Sequence, residues 1–396
     1  MSDRTTTFAE LVSEQLIEIG AGRPRTVSMN GHDLPILRVA DVLDGSIESS
    51  LQARTPRQDV PVKGSKVSRP GDIVLTTKGT VGRVALMPPN GPTFAYSPQL
   101  CFFRPAANGP LRSGFLYYWF KSVDFWNQAN ALKGQTDMAD FLSLGDLQRM
   151  RIGVPSLDRQ DSIVGVLRAL DDKIAVNDQI SIAADSLRLA ILTEMRQRRP
   201  ADFVAQPLSK VAEFVNGRAF TKNATGNGRM VIRIAEMNSS PGVSTIYNDL
   251  EVEDKHLARP GDVLFSWSGT LKVVRWFRPE AIINQHIFKV IPRGRNPHWL
   301  AFESVKSLLA YYQAIAADKA TTMGHIQRHH LDAEVFVPRP EVLASLDRPA
   351  GGLWPRAVAA EQESLTLAAL RDNLLPALMS GQLRVKDAEK VVEKTL

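Results

Sequence analysis

Apolar residues in one long segment of the chain recur at the spacing of a helix. Residues 158–199 contain no proline and one glycine, and Ile163, Leu167, Leu170 and Ile174 follow a four-three-four spacing. This spacing lines up one apolar stripe on a helix, as in a coiled coil. At 1.5 Å per residue, a helix of about 42 residues would be about 63 Å long.

The second half of this predicted helix continues the apolar pattern with a change of register. Apolar residues recur at Ile180, Ala184, Leu187 and Ile191. Near Asn177 the pattern slips by three residues relative to a strict heptad. A slip of this kind predicts local overwinding or a bend of the helix at that point.

A second helix with the same pattern is predicted near the end of the sequence. Pro376 should kink or end this helix early, and residues 339–354 contain too much proline and glycine for a continuous helix. We therefore expect a shorter helix that packs antiparallel to the first, although both helices could instead belong to globular cores. The residues predicted to form the packing between the two helices are Ile163, Leu167, Leu170, Ile174, Leu187, Ile191, Leu370, Leu374 and Leu378.

The chain contains two copies of one sequence pattern. Four blocks recur in the same order and at nearly the same spacing, which a duplication explains better than chance recurrence of common turn sequences. The matched blocks are 69–80 (RPGDIVLTTKGT) with 259–270 (RPGDVLFSWSGT), 36–42 (ILRVADV) with 231–237 (VIRIAEM), 151–155 (RIGVP) with 334–338 (EVFVP), and 186–195 (SLRLAILTEM) with 369–378 (ALRDNLLPAL).

Each copy has the features of an α+β domain followed by a helix. The RPGD sequence is typical of a turn, because proline presets φ and glycine accepts positive φ, and an apolar β-type run follows it. Further strands are expected at 94–103 and 282–291, and helices at 115–128 and 299–317. The fold class is therefore α+β, with two homologous globular domains at 1–156 and 201–340, a central helix at 157–200, and a linker and second helix at 341–396.

Composition and charge narrow the class of protein. Hydrophobic residues make up 44% and charged residues 23%, as in an ordinary soluble protein, and no apolar stretch approaches the length of a membrane span. The single cysteine, Cys101, excludes an internal disulfide and fits the reducing cytoplasm. The net charge of +6 lies in the two globular parts, because 157–200 holds seven acidic and seven basic side chains and 341–396 holds eight acidic and seven basic. This distribution favours contact with nucleic acid.

Several motifs resemble the specificity subunits of Type I restriction-modification enzymes. Residues 154–160 (VPSLDRQ), followed by Ile163, Leu167 and LDDKI at 170–174, resemble the first conserved helix of that family, and 374–383 (LLPALMSGQL) resembles the end of its second. The GD-strand-GT block and residues 284–288 (NQHIF) resemble its target-recognition domains. The second copy lacks the LDRQ and LDDKI part of the helix motif.

The resemblance implies a non-catalytic subunit that reads DNA sequence in the cytoplasm as part of phage defence. Each domain would read one half of a bipartite double-stranded site, and the helices would set the spacing and dock two methylation subunits. This chain would bind no cofactor, since S-adenosylmethionine would be bound by the methylation subunits. Motor-nuclease restriction subunits would add cleavage.

DNA reading requires cations for phosphates and polar groups for base edges. The loops after the GD strands and the polar segments that follow carry such residues in both copies. The candidates in the first domain are Thr77, Lys78, Thr80, Arg83, Tyr96, Gln99, Lys133, Gln135 and Thr136. Those in the second are Trp267, Ser268, Lys272, Arg275, Asn284, Gln285, His286, Lys319, Thr322 and Arg328.

Two other functions remain open from the residues alone: a nuclease or DNA-modifying enzyme with its own active site, and a helical scaffold that binds only protein. Glu253 and Lys255 could form half of a nuclease site, and His325 and His329 have the spacing of zinc ligands on a helix. Neither set has a recognisable complement, and no phosphate-binding loop or dinucleotide fingerprint is present. We therefore predict no catalytic residue and no metal site.

Overall fold

The computed structural model describes residues 4–22, 33–48, 51, 53–55, 66–132, 134–135, 140–318 and 325–395. The chain divides into two compact units. Unit 1 comprises Met1–Asp171 and Ala369–Leu396, and unit 2 comprises Asp172–Ala368. Each unit therefore contains a globular part together with segments of two helices.

The globular part of unit 1 is built on a four-stranded antiparallel sheet. Its strand order is β2-β10-β7-β8, and a smaller sheet has the order β6-β3-β9, with β3 and β9 parallel. The strands are β1 (Arg4–Thr7), β2 (Ile17–Ala21), β3 (Leu34–Leu37), β4 (Val42–Leu43), β5 (Ser46–Ile47), β6 (Arg54–Thr55), β7 (Ile73–Thr76), β8 (Val84–Leu86), β9 (Ala95–Tyr96), β10 (Leu100–Pro105), β11 (Gly134–Gln135), β12 (Asp140–Phe141) and β13 (Arg151–Val154). The helices are α1 (Phe8–Ser13), α2 (Ser113–Phe120), α3 (Val123–Leu132) and α4 (Leu144–Arg149).

Helix α5 (Leu157–Arg198) follows β13 and is continuous over 42 residues. The long helix predicted from the apolar spacing is therefore confirmed.

Unit 2 repeats the plan of unit 1. Its main sheet has the order β15-β22-β19-β20 and a second sheet has the order β17-β16-β21-β18, in which β16 and β21 are parallel. The strands are β14 (Phe203–Pro207), β15 (Ala212–Asn216), β16 (Arg229–Ile232), β17 (Tyr247–Asn248), β18 (Leu257–Ala258), β19 (Val263–Ser266), β20 (Lys272–Arg275), β21 (Ala281–Ile283), β22 (Ile287–Pro292) and β23 (Glu334–Pro338). The helices are α6 (Leu208–Val211), α7 (Ile234–Asn238), α8 (His298–Ser307), α9 (Leu309–Asp318) and α10 (Pro340–Leu346).

The last two helices are α11 (Leu353–Ser380) and α12 (Val385–Glu393). Helix α11 has 28 residues and is shorter than α5, as predicted. Pro376 does not end it, because the helix runs four residues further. Residues before α11 are also more helical than expected, since a π-helical turn at Asp347–Gly351 follows α10.

Matching hydrogen bonds confirm the duplication at the level of single residues. In unit 1 the Arg38 N–H donates to the carboxylate of Asp41, and in unit 2 the Arg233 N–H donates to that of Glu236, at 2.8 and 3.0 Å. These pairs occupy the same place in the repeated ILRVADV and VIRIAEM blocks. The predicted α+β fold with two homologous globular parts is therefore confirmed.

Each helix predicted between the main sheet and the end of the globular part is in fact two helices. In unit 1, α2 ends before Lys121, whose φ and ψ are −91° and −6°, and α3 begins at Val123. The N–H and the hydroxyl of Ser122 both donate to the Trp119 carbonyl at the break, at 3.0 and 2.7 Å. In unit 2, Leu308 separates α8 from α9 in the same way, with φ and ψ of −96° and 0°.

The RPGD turn holds a carboxylate that ties each main sheet together. In unit 1 the Asp72 carboxylate is fully buried and accepts two hydrogen bonds from the Arg104 guanidinium and one from the Tyr96 hydroxyl, each at 2.7 Å. In unit 2 its counterpart Asp262 is less buried and pairs with the Lys289 ammonium at 3.0 Å. The same turn is thus anchored by different cations in the two copies.

In unit 1 and unit 2 the two long helices are antiparallel, as predicted. Within unit 1, Asp171 of α5 pairs with Arg371 of α11 at 2.6 Å. Within unit 2, Asn177 donates to Glu363 at 2.9 Å and Ser181 donates to Glu361 at 2.8 Å, so residue numbers rise on one helix as they fall on the other.

The buried stripe of α5 does not slip near Asn177, and this part of the prediction is wrong. The four-three spacing continues without interruption through polar residues, which we call the inner stripe: Asn177, Ser181, Ala184 and Arg188, all buried. Leu187, which was expected in the packing, is 52% exposed. Of the other predicted packing residues, Ile163, Leu167, Leu170, Leu374 and Leu378 are buried, and Ile174, Ile191 and Leu370 are half-buried.

Replacing Asp72 with asparagine tests the turn carboxylate. The Asp72→Asn change leaves the guanidinium of Arg104 without its buried counter-charge, so the free energy of unfolding should fall by about 3 kcal/mol, as measured by urea denaturation. The matched control Asp262→Asn should cause a smaller loss, because the Asp262 side chain is 16% exposed and that of Asp72 is not exposed at all. Equal losses in the two variants would contradict this account.

Candidate nucleic-acid interface

In unit 1 three segments meet where strand β7 ends. The N–H and the hydroxyl of Thr77 both donate to the Gln99 carbonyl, each at 3.0 Å, and the Thr77 carbonyl accepts the N–H of Leu142 at 2.9 Å. The next residue, Lys78, forms an isolated β-bridge with Phe141. We call Thr77, Lys78 and Gln99 the unit 1 corner, in which Lys78 and Gln99 are exposed.

Unit 2 has the same backbone arrangement where strand β19 ends. The N–H of Trp267 donates to the His286 carbonyl at 3.1 Å, and the Trp267 carbonyl accepts the N–H of Ile326 at 3.1 Å. Ser268 forms an isolated β-bridge with His325. We call Trp267, Ser268, Gln285 and His286 the unit 2 corner.

The side chains of the two corners differ although the backbone hydrogen bonds match. Where unit 1 has the small Thr77, unit 2 has Trp267, whose ring centroid lies 5.0 Å from that of His286. The Trp267 indole N–H also donates to the Asn216 side chain at 2.8 Å. The unit 2 corner therefore presents a fixed aromatic surface, and the unit 1 corner presents a lysine and an amide.

A glycine is required beside each corner because the carbonyl group of another chain segment lies too close for a side chain to fit. A Cβ atom at Gly22 would lie 1.9 Å from the Tyr96 carbonyl oxygen, and one at Gly217 would lie 2.1 Å from the Asn284 carbonyl oxygen. In unit 2 this approach brings the Arg218 carbonyl within 2.9 Å of the Gln285 N–H.

Arg218 lies beside the unit 2 corner, and the sequence reasoning missed it. Its side chain is 64% exposed and its guanidinium lies 3.8 Å from the carboxylate of Glu253. The signal was the glycine-arginine pair directly after an apolar run, but strand β15 was not among the predicted strands.

Several candidate residues lie in the interior and not at the surface. Tyr96 is fully buried, and burial together with the nearby Asp72 carboxylate raises the pKa of its hydroxyl. Arg275 is 5% exposed and pairs with acidic residues. Neither side chain faces solvent, so we leave both out of the candidate interface.

The remaining candidates fall into three groups. Those exposed to solvent are Lys78, Thr80, Gln99, Gln285 and Arg328; those half-buried are Arg83, Trp267, Lys272 and His286; and those buried, like Tyr96 and Arg275, are Thr77, Ser268 and Asn284. Lys272 is also partly engaged, since its ammonium donates to the Met237 carbonyl at 3.1 Å. Lys133, Thr136, Lys319 and Thr322 lie outside the described residues, and Gln135 is described only as part of strand β11.

The residues considered for catalysis make other contacts. Lys255 pairs with Glu253 at 2.6 Å, and this hydrogen bond lowers the pKa of the exposed Glu253 carboxyl. The rings of His329 and His330 lie against each other at an angle of 57°, with centroids 4.0 Å apart. In the described part of the chain, no three His, Cys, Asp or Glu side chains are grouped to hold a metal ion. Nor does any described helix have the length and apolar character needed to cross a membrane.

The part of helix α5 in unit 2 also exposes an apolar surface. Val176 and Leu187 are each 52% exposed, and Ala183 and Ala190 are exposed as well. With the half-buried Ile180 they form a four-three-four-three spacing, which we call the outer stripe. In unit 2, α5 thus carries mainly polar residues on its inner stripe and apolar residues on its outer stripe, the reverse of an ordinary amphipathic helix.

Comparison with known proteins agrees with the motifs found in the sequence. Residues 31–184 match the family model described as the Type I restriction modification DNA specificity domain. The crystal structure of a Type I restriction-modification system S subunit from M. genitalium is similar, with a TM-score of 0.55, 14% identity and 96% of each chain covered. At that identity the likeness shows a shared fold. The HsdS subunit from Thermoanaerobacter tengcongensis has a TM-score of 0.38 and 18% identity, with 96% of this chain and 97% of that chain covered. No curated protein matches the chain.

Proposed function

We propose that this chain, which carries a Type I restriction modification DNA specificity domain at residues 31–184, is the non-catalytic specificity subunit of a Type I restriction-modification complex. Each globular part reads one half of a bipartite double-stranded DNA site. The long helices dock two methylation subunits, which bind S-adenosylmethionine and transfer its methyl group to adenine. Restriction subunits join the same complex where cleavage occurs.

The observation that carries this proposal is the pair of corners. The backbone hydrogen bonds that shape them are the same in both units, whereas the side chains they present are different. A shared scaffold with different exposed side chains is what reading two different half-sites requires. An enzyme with one active site has no need of a second, differently equipped copy.

The exposed side chains of the corners suit the two tasks of DNA reading. Gln99 and Gln285 can each form the paired hydrogen bonds by which amide side chains recognise adenine. Lys78 in unit 1 and Arg218 and Arg328 in unit 2 can contact phosphate or guanine. The unit 1 corner, and the unit 2 corner together with Arg218 and Arg328 beside it, therefore combine base-reading and phosphate-binding groups.

The outer stripe of α5 supports docking of the methylation subunits. An exposed apolar row with coiled-coil spacing is the kind of surface that a partner protein covers. The row lies within the helix whose beginning carries the VPSLDRQ motif at 154–160. We therefore assign the outer stripe to subunit assembly and the corners to DNA.

Reciprocal changes of two glutamines test the reading of half-sites. In the complex with methylation subunits, Gln285→Ala should relax base preference in one half-site by about tenfold, the effect of losing one paired base contact. Gln99→Ala should relax the other half-site and leave the first unchanged. Base preference is measured by sequencing DNA selected from a randomised library. Relaxation of both halves by either change would count against two independent readers.

Removal of a phosphate contact should alter the salt dependence and leave the sequence preference intact. Lys78→Ala should weaken binding to all sequences alike and reduce the slope of log affinity against log salt by about 0.9. The slope is measured by fluorescence anisotropy with labelled duplex DNA. Gln99→Ala is the control that should keep the wild-type slope, and an unchanged slope for Lys78→Ala would remove this lysine from the interface.

A charge in the outer stripe should prevent assembly. Leu187→Glu should weaken binding of the methylation subunits by at least about tenfold, because a buried leucine contributes about 1.5–3 kcal/mol. Copurification and light scattering measure the effect, and the melting temperature of the lone chain should not change. Ser186→Glu, at the neighbouring exposed position, is the matched control and should assemble normally. Normal assembly of Leu187→Glu would show that the methylation subunits dock on a different surface.

Methylation or cutting of DNA by the chain without any partner would overturn the proposed function as a whole. Salt-independent binding, or no DNA binding by the assembled complex, would instead favour a scaffold that binds only protein.

A further inference from the structure

A buried arginine on the globular part of unit 2 is bound to both helix segments of that unit. Arg275 ends strand β20 and is 5% exposed. Its guanidinium donates to Glu361 of α11 at 2.7 and 2.9 Å and to Asp185 of α5 at 2.9 Å. It also donates to the Ser181 hydroxyl of α5 at 3.0 Å. One side chain of the sheet is thus held by two helices at once.

A second buried arginine lies on a helix segment and bonds to the globular part. Arg188 of α5 is fully buried and donates twice to Glu303 of α8, at 2.9 and 3.1 Å. It also pairs with Asp185 at 2.6 Å, so the carboxylate of Asp185 lies between two guanidinium groups. Arg275, on the sheet, thus bonds to both helices, and Arg188, on helix α5, bonds to helix α8 of the globular part.

An aromatic ring completes the cluster. The guanidinium carbon of Arg275 lies 4.8 Å from the ring centroid of Trp354, and that of Arg188 lies 5.1 Å from the same ring. Trp354 is in the first turn of α11 and is 8% exposed. Directional contacts therefore fix the relative positions of two guanidinium groups, one indole ring and three carboxylates.

Each charged side chain in this cluster pairs with a group of opposite charge. Burial opposes ionisation of Asp185, but hydrogen bonds and charge from Arg275, with the charge of Arg188, offset it and lower the pKa of its carboxyl. Burial raises the pKa of Glu303 despite the nearby Arg188. A buried ion cluster of this kind contributes little net stability compared with an apolar cluster of similar volume. Its hydrogen-bond geometry, however, permits few alternative arrangements of the helices and the sheet.

The cluster is not part of the repeated framework. Arg275 pairs across the sheet with Val263, and the corresponding pair in unit 1 is Leu86 with Ile73. In unit 1 the first turn of α5 is held instead by the buried Gln160, whose side chain bonds to the backbone of Arg112, Pro110 and Pro155 at 2.7–2.8 Å. The arginine at this position of the unit 2 sheet therefore has no counterpart in unit 1, where α5 is held by Gln160, by the exposed Arg112–Asp161 pair and by the Tyr118 hydroxyl, which donates to Asp171.

From these contacts we propose that Arg275 is a positioning residue, which sets the angle of the unit 2 globular part on its helix segments and thereby selects the spacer length between the two DNA half-sites. The inference rests on the proposed function. One base pair of spacer moves a half-site by about 3.4 Å and rotates it by about 34°. A small change in the angle of the reading surface therefore changes which spacer fits.

The test uses the complex of this chain with methylation subunits and a DNA library in which the spacer varies by single base pairs. Arg275→Met removes the contacts to Ser181, Asp185 and Glu361 and keeps the side-chain volume similar. We expect the preference for the wild-type spacer over its neighbours to fall by about tenfold, with the base preference of both half-sites unchanged. Arg275→Lys, which keeps the charge but not the fork of donors, should restore part of that preference.

Two further variants separate positioning from charge and from folding. Arg278→Met removes a cation three residues away, and among the described residues no ion pair joins Arg278 to Asp185 or Glu361, so its spacer preference should match the wild type. If Arg275→Met does not fold, Glu361→Gln takes its place and should broaden the spacer preference in the same way. A merely structural role would lower methylation at all spacers alike.

The outcomes distinguish this inference from the proposed function. A wild-type complex that reads no bipartite site removes the proposed function. A wild-type complex that does, with a spacer preference that survives both Arg275→Met and Glu361→Gln, removes only the positioning role. Equal broadening by Arg278→Met would assign the effect to the electrostatic field and would also overturn the inference.

Discussion

The interactions on which the architecture depends are charge-assisted hydrogen bonds between arginines and carboxylates at the long helices. In unit 2, Arg275 and Arg188 join the globular part to α5 and α11 through Asp185, Glu361 and Glu303. In unit 1, Arg371 of α11 pairs with Asp171 of α5, which also accepts the hydroxyl of Tyr118 in α2. Directional contacts of this kind restrict orientation more than apolar packing does, because a displaced donor leaves a buried charge without its partner.

These polar contacts explain why, in unit 2, α5 buries polar residues and exposes apolar ones. Its inner stripe in unit 2 includes Asn177, Ser181 and Arg188, each of which hydrogen-bonds to a carboxylate. The apolar residues of the same segment, such as Val176 and Leu187, lie on the outer stripe and remain exposed. In unit 2 this helix therefore has one polar surface that bonds to α11 and to the globular part, and one apolar surface that is exposed.

The two units show how a duplicated scaffold can present different chemistry. The RPGD turn, the order of the main sheet and the backbone hydrogen bonds of the corner recur in both units. Within the corners, the side chains differ, as in Thr77 against Trp267. Because the backbone carries the shape, the exposed side chains can differ without altering the fold, which is the property that independent readers of two half-sites need.

Local patterns in the sequence were enough to determine the duplication, the RPGD turn, the strand that follows it in each copy and the long helix. Turn chemistry and the spacing of apolar residues act over a few neighbouring residues, so they can be interpreted without knowing the fold. The family resemblance, carried by motifs of the same kind, was confirmed for residues 31–184.

Only the tertiary structure decided which stripe of α5 is buried and which candidates face solvent. The sequence analysis placed Ile180 and Leu187, which belong to the outer stripe, in one row with Ala184 of the inner stripe and with Ile191, which continues that stripe. Mixing the two rows produced the apparent slip of the heptad near Asn177. The acids that allow Arg188 to be buried lie far away in sequence, as Glu303 is 115 residues from it. Tyr96 and Arg275 were taken for surface residues for the same reason: burial of a polar side chain depends on a distant partner, which no local pattern contains.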